Sequence, residues 1–182
     1  MVGVNGKGII VVDLVNDFVT GKFGSKEAVR VVSKVRQLLE KIGPDIPVVF
    51  TLDTHIENDP EFAVWGVHCL AGTEACQLHR DLQNLQGYRI TKRHYDAFFQ
   101  TDLEGYLRAL GISELYVFGI STDICVLHTV SGAFHRYFKT TVVEDLCASI
   151  SAERQREAID FMSRNYGTRM ISSEIMLREL GY

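Results

Sequence analysis

Three observations predict an α/β fold, three layers deep (α/β/α), in which helices cover both faces of a mainly parallel sheet of roughly six strands. The apolar residues gather in short, β-branched, nearly continuous runs. Amphipathic helical patterns alternate with those runs. The chain, 182 residues of which 46% are apolar and 23% charged, is long enough to bury one core without disulfide or metal staples. The runs are GIIVVDL (8–14), PVVFTLD (47–53), YRITK (88–92), LYVFGI (115–120) and TTVVEDL (140–146), with TRMIS (168–172) a weaker sixth. A strand apolar at successive positions is buried on both sides, the condition of a strand in a parallel sheet between helical layers.

The helices follow in order. After Ser25, residues Ala28, Val31, Val32, Val35, Leu38, Leu39 and Ile42 share one face before Gly43 and Pro44 stop the pattern. Further helical patterns cover 102–110, 123–137, 152–164 and 173–180. Strands alternating with helices of this length make right-handed βαβ crossovers. No repeat or linker breaks the pattern, so residues 1–182 are expected to form a single domain. The longest irregular segment, from Thr54 to about Thr73, has the length of a functional loop.

Charge and cysteine usage narrow the function. A net charge of −4 without a basic run argues against nucleic acid and anionic lipid, leaving small molecules as partners. The first eighteen residues, MVGVNGKGIIVVDLVNDF, read as neither a signal peptide nor a membrane span, because Asp13 breaks the apolar run. A cytoplasmic protein is expected. Cys69, Cys76, Cys125 and Cys147 form no CxxC pair and are expected to be free thiols.

Ligands of open α/β sheets bind at the carboxyl ends of the strands. Here those ends carry Asp13, Asp53 followed by His55, Lys92, and the segment Gly119-Ile-Ser-Thr-Asp-Ile-Cys125. One aspartate after a strand is ordinarily a turn former; four reactive ends on one edge suggest a site. Cys125 falls near the first turn of a helix, where the positive helix end favours a thiolate and backbone N–H groups can hold an oxyanion. Asp13 can act as general base and acid, and Lys92 adds positive charge near the thiol. In the long loop, TLDTHIENDPEFAVWGVHC offers Asp53, His55 and His68 with one of Glu57, Asp59 or Glu61, the spacing leaving the last choice open. Imidazoles with carboxylates suit a divalent transition ion, zinc, iron or manganese, more than calcium or magnesium.

Over nearly its whole length the chain resembles the nicotinamidase branch of the isochorismatase-like cysteine hydrolases. The resemblance is carried by VVDLVNDFV, by DTH with a later PEFAVWGVH, by TKRHYDAF and by GISTDICVLHTV. It implies a catalytic triad of Asp13, Lys92 and Cys125, and a metal held by Asp53, His55 and His68 with Glu61 as a further ligand, zinc before iron or manganese. It also implies an oxyanion hole from the N–H groups of Ser121 and Cys125 after a cis peptide, and a substrate ring held by Phe18 and Trp65. Tyr95 is placed with them as substrate-binding. The segment between His55 and Pro60 is a few residues shorter than in the family's longer members. The activity so implied is hydrolysis of nicotinamide to nicotinic acid and ammonia through a thioester, within a homo-oligomer. The alternative is hydrolysis of another small molecule, isochorismate or a carbamoyl or amide compound.

Overall fold

A computed structural model describes residues 6–182. Six strands, β1 (Lys7–Val12), β2 (Val48–Asp53), β3 (Tyr88–Lys92), β4 (Glu114–Gly119), β5 (Lys139–Val143) and β6 (Arg169–Ile171), form one parallel sheet in the order β3-β2-β1-β4-β5-β6. The β1–β2 register sets Val12 beside Thr51, and the β2–β3 register sets Asp53 beside Lys92. Among the described residues seven α-helices accompany the sheet: α1 (Asn16–Val19), α2 (Lys26–Leu39), α3 (Phe62–Trp65), α4 (Leu103–Ala109), α5 (Leu127–His135), α6 (Ala152–Tyr166) and α7 (Ser173–Leu180).

Side-chain bonds show which helices share a layer. Lys34 of α2 and Ser173 of α7 both bond Asp145, and Tyr182 Oη accepts from Gly43 N at 2.8 Å. Arg136, just past α5, pairs with Glu104 of α4 at 3.0 Å, and α5 packs on α6. The layers therefore hold α2 and α7 on one face and α4, α5 and α6 on the other. Between them Ile9, Ile10, Val12, Phe50, Val117 and Phe118 are buried completely, as the apolar runs require.

Three of the helices start on a serine cap. Ser25 caps α2, its side chain accepting from Ala28 N at 3.0 Å, and Ser151 and Ser172 cap α6 and α7 in the same way. Gly167 closes α6 in the left-handed conformation.

The structure departs from the sequence reading where strands meet the site. β1 stops at Val12, two residues early, because Asp13 takes φ 48° and turns the chain out of the sheet. β5 stops at Val143, and residues 144–146 curl into a 3₁₀ turn while Ser173 and Lys34 bind the Asp145 carboxylate. The expected helix 123–137 opens with a π-helical turn, Thr122–Val126, and is regular only over Leu127–His135. The long loop is not bare: α3 and two 3₁₀ turns at Glu74–Cys76 and Arg80–Leu82 stiffen it and its continuation. Among the described residues no helix is long and apolar enough to cross a membrane.

Candidate active site

Between β1 and β4 the strand order reverses, so the helices after these neighbours leave to opposite faces and open a crevice at their carboxyl ends. The two chains approach closely there. A Cβ at Gly119, whose φ is 139°, would stand 2.1 Å from Val12 O, so only glycine fits. Beyond Gly119 lies the cis peptide Ile120–Ser121, then the π-turn that brings both Ser121 and Cys125 to the wall of a cavity of about 360 Å³.

Asp13, Lys92 and Cys125 meet at this edge of the sheet, Cys125 lining the cavity and the other two buried behind it. Lys92 Nζ stands 2.7 Å from Asp13 Oδ2, 3.0 Å from Asp53 Oδ1 and 3.6 Å from Cys125 Sγ. All four residues are buried. Thr51 Oγ1 donates to Asp13 Oδ1 at 2.7 Å, which fixes the second carboxylate oxygen. Burial raises the Asp13 carboxyl above its ordinary range, against the pull of Lys92. The Lys92 ammonium is driven below its usual value by burial but carried well above it by Asp13, Cys125 and Asp53 together, so it stays charged. Burial also pushes the Cys125 thiol well above its ordinary value; Lys92 opposes this, and Asp13 and Asp53 reinforce it. The sequence reading expects the helix end and Lys92 to favour a thiolate. In the structure desolvation works against both and pushes the thiol up.

The metal-ligand candidates converge on the adjoining wall. His55 Nε2 stands 2.9 Å from Asp53 Oδ2, and His68 Nε2 has carboxylate oxygens of Asp53 and Glu61 only at 3.6 and 3.8 Å, too far to hydrogen-bond. His55 Nε2 and Glu61 Oε1 are 4.0 Å apart. Donors held at about 2.1 Å around one ion stand roughly 3 to 3.4 Å apart at neighbouring corners, so Asp53, His55 and His68 fit a divalent ion after small adjustment, and Glu61 Oε1 stands at the open side. The ring tautomers suit this. His68 Nδ1 is held by Gly66 O at 2.8 Å, and His55 Nδ1 faces Asp59 Oδ2 at 3.2 Å, leaving both Nε2 atoms inward. Geometry separates the three carboxylates that the spacing leaves open. Glu61 faces the cluster, Asp59 backs His55 and is itself held by Arg93 at 3.2 Å, and Glu57 is exposed.

Asp53 belongs to both clusters, with Oδ1 on Lys92 and Oδ2 on the histidine side. Burial raises its carboxyl, but Lys92 and His55 overcome this and hold it at about 2. Phe18, Trp65 and Tyr95 all line the cavity, and Trp65 Nε1 donates to Tyr95 Oη at 2.9 Å. Phe18 lies near-parallel to His68 at 6.1 Å.

The sequence reading did not single out Thr51, although it shares a strand face with Asp53 two residues on. Phe23, Ile124, Ser149 and Ile150 also line the cavity without any periodic signal in the sequence. Of the residues left without a role, the Cys69 thiol is pushed up by burial and its N–H is bound by Asp17 at 2.8 Å, while His94 stands outside the cavity beside Gln100. All four cysteines are free.

A thiol beside a buried carboxylate and ammonium, at the switch point of a parallel sheet, defines a hydrolase site of the α/β class. The chain belongs to the isochorismatase family, whose domain model matches residues 7–175. Solved structures similar to it include the following three. N-carbamoylsarcosine amidase from Thermoplasma acidophilum is 33% identical, with TM-score 0.85 over 92% of this chain and 96% of that one. Nicotinamidase PncA from Bacillus subtilis is 30% identical, with TM-score 0.80 over 91% and 99%. The pyrazinamidase of Pyrococcus horikoshii, in complex with zinc, is 27% identical, with TM-score 0.83 over 92% and 99%.

Proposed function

We propose that this isochorismatase-family hydrolase is a nicotinamidase, a metal-assisted cysteine amidohydrolase that converts nicotinamide and water to nicotinic acid and ammonia. The observation that carries the reading is the joining of the two clusters through Asp53 beside one aromatic-walled cavity, whose lining includes both Cys125 and His68. The charge of the cavity supports a neutral substrate. Its ionisable lining consists of Asp53, Glu61, His68, Tyr95 and Cys125, and among the described residues no lysine or arginine lines it. Isochorismate and N-carbamoylsarcosine both carry a carboxylate, for which the lining offers no lysine or arginine partner; nicotinamide carries none.

In the proposed mechanism, the substrate ring lies among Phe18, Trp65 and Tyr95 with the amide carbonyl over Cys125. Asp13 takes the thiol proton as sulfur forms its bond to the carbonyl carbon, and Lys92 keeps the Asp13 carboxylate ionised and aimed. The N–H groups of Ser121 and Cys125 receive the oxyanion. The C–N bond breaks as Asp13 returns the proton to nitrogen, ammonia leaves and a thioester remains. Asp13 then deprotonates a water, whose attack releases nicotinic acid and regenerates the thiol. Asp53, His55, Glu61 and His68 would hold the ion, zinc first by the donor set, which supplies a Lewis-acid anchor for the ring nitrogen.

The test compares ammonia release from nicotinamide and from benzamide, which has the same shape and amide but no ring nitrogen. A site built around that polar contact rejects the analogue by a factor of about 10⁴ in kcat/KM, and chelation collapses the preference. Equal kcat/KM for the two amides in zinc-loaded protein, or faster hydrolysis of N-carbamoylsarcosine, would overturn the reading.

A further inference from the structure

The turn that carries Trp65 and His68 is fastened to the opposite lip of the cavity by one side chain that the catalytic reading does not use. Lys22 lies in the connection between α1 and α2. Its Nζ donates to Trp65 O at 2.6 Å and to Val67 O at 3.0 Å, and lies over the Phe23 ring at 5.1 Å. Between those two carbonyls, Gly66 O is taken by His68 Nδ1 at 2.8 Å. The next link is the Cys69 N–H, bound by Asp17 Oδ2 at 2.8 Å, while Asp17 Oδ1 accepts from Lys22 N at 3.4 Å. The three successive carbonyls of Trp65, Gly66 and Val67 and the N–H of Cys69 are therefore all engaged, and Lys22 holds the outer two carbonyls.

The backbone at Gly66 is matched to this clamp. Its φ of 70° and ψ of 173° lie in a region essentially reserved for glycine, and a Cβ there would stand 2.7 Å from Lys22 Nζ. Glycine thus gives the turn its shape and leaves room for the ammonium.

We propose that Lys22 is a positioning residue for the metal centre: by binding the carbonyls on either side of Gly66 it sets the turn that aims His68 Nε2 at Asp53 and holds Trp65 over the cavity. The effect passes through His68 and Trp65, since Lys22 itself does not line the cavity. The proposal rests on the metal reading for its consequence, but not for its geometry. Outer partners that orient metal ligands change affinity by about 10- to 100-fold when removed. For a clamp on an exposed side chain the lower figure is expected.

The test uses Lys22→Met, which keeps the apolar stem, and Lys22→Arg, which restores a two-pronged donor. Trp65 is the only tryptophan, so its quenching by acrylamide reports the turn directly in zinc-free protein. Expected for K22M are a quenching constant about twofold above wild type and a zinc dissociation constant, measured against a competing chelator, weakened about tenfold, with the rate of Cys125 alkylation unchanged. K22R is expected to bring both readouts most of the way back. Quenching and zinc affinity in K22M within about 1.5-fold of wild type would overturn the proposal. So would a lowered melting temperature of the zinc-free protein that K22R does not restore, since that marks a general packing loss. A wild type that takes up no zinc would overturn the metal reading, and the quenching comparison would still decide whether Lys22 holds the turn.

Discussion

Lys92→Met removes the cation shared by two buried carboxylates, and its cost follows from the geometry. Nζ lies 2.7 Å from Asp13 Oδ2 and 3.0 Å from Asp53 Oδ1, and none of the three side chains is more than 3% exposed. Without the ammonium, Asp13 either stays charged in a dry site or takes up a proton. At pH 7, protonating a carboxyl of ordinary pKa costs about 4 kcal/mol, which caps the penalty and agrees with the roughly 3 to 5 kcal/mol measured when one partner of a buried pair is deleted. Asp13→Asn leaves Lys92 paired with Asp53 and weakens the hydrogen bond to Thr51, for about 1 to 2 kcal/mol. In the double variant no stranded carboxylate remains at position 13, so its loss is expected to fall short of the sum of the single losses by about 3 kcal/mol. Urea unfolding of wild type and the three variants at pH 7, with metal removed from all by chelator, measures this coupling without reference to activity. Additivity within about 0.5 kcal/mol would mean that Lys92 and Asp13 are not a coupled pair, and the mechanism would lose its base.

The other expectations are separate from this cycle. Cys125→Ala should leave less than about one thousandth of wild-type turnover with metal content unchanged, as read by ammonia release and elemental analysis; more residual activity would exclude the covalent route. Asp13→Asn and Lys92→Met should each cost several powers of ten in kcat, and near-normal kcat in either would refute the triad. His68→Ala should abolish stoichiometric zinc uptake while Cys125 still reacts with iodoacetamide; retained zinc would remove His68 from the ligand set. Asp145 is raised by burial but held below its usual carboxylate range by two hydrogen bonds from Ser173, at 2.7 Å each, and by Lys34. A depressed carboxyl stabilises the fold above its unfolded pKa near 4 and loses that contribution as pH falls through the lower folded value. Asp145→Ala should therefore cost about 1 to 2 kcal/mol at pH 7 and progressively less below pH 4, and a pH-independent cost would refute the assignment.

The parallel sheet was legible in the sequence because its signal is local. A strand buried on both faces must be apolar at every position, and runs such as GIIVVDL and LYVFGI say so without reference to anything else in the chain. The residues at the carboxyl ends were legible for a related reason: a charged or thiol side chain directly after such a run has few places to go but the sheet's edge. What those residues do to one another depends on register and burial, which belong to the folded state alone. The pairing of Asp53 with Lys92 across β2 and β3 makes one carboxylate serve both clusters, and nothing in the spacing of residues 53 and 92 foretells it. The left-handed turn at Asp13 and the π-turn at Cys125 are likewise imposed by contacts distant in sequence, Thr51 in the first case and Ala148 O, which accepts from Thr122 N at 2.9 Å, in the second. Even the state of the nucleophile is decided there. The sequence places Cys125 at a helix end beside a lysine, which favours a thiolate, but only the closed fold removes the water, and that desolvation pushes the thiol up against the pull of Lys92.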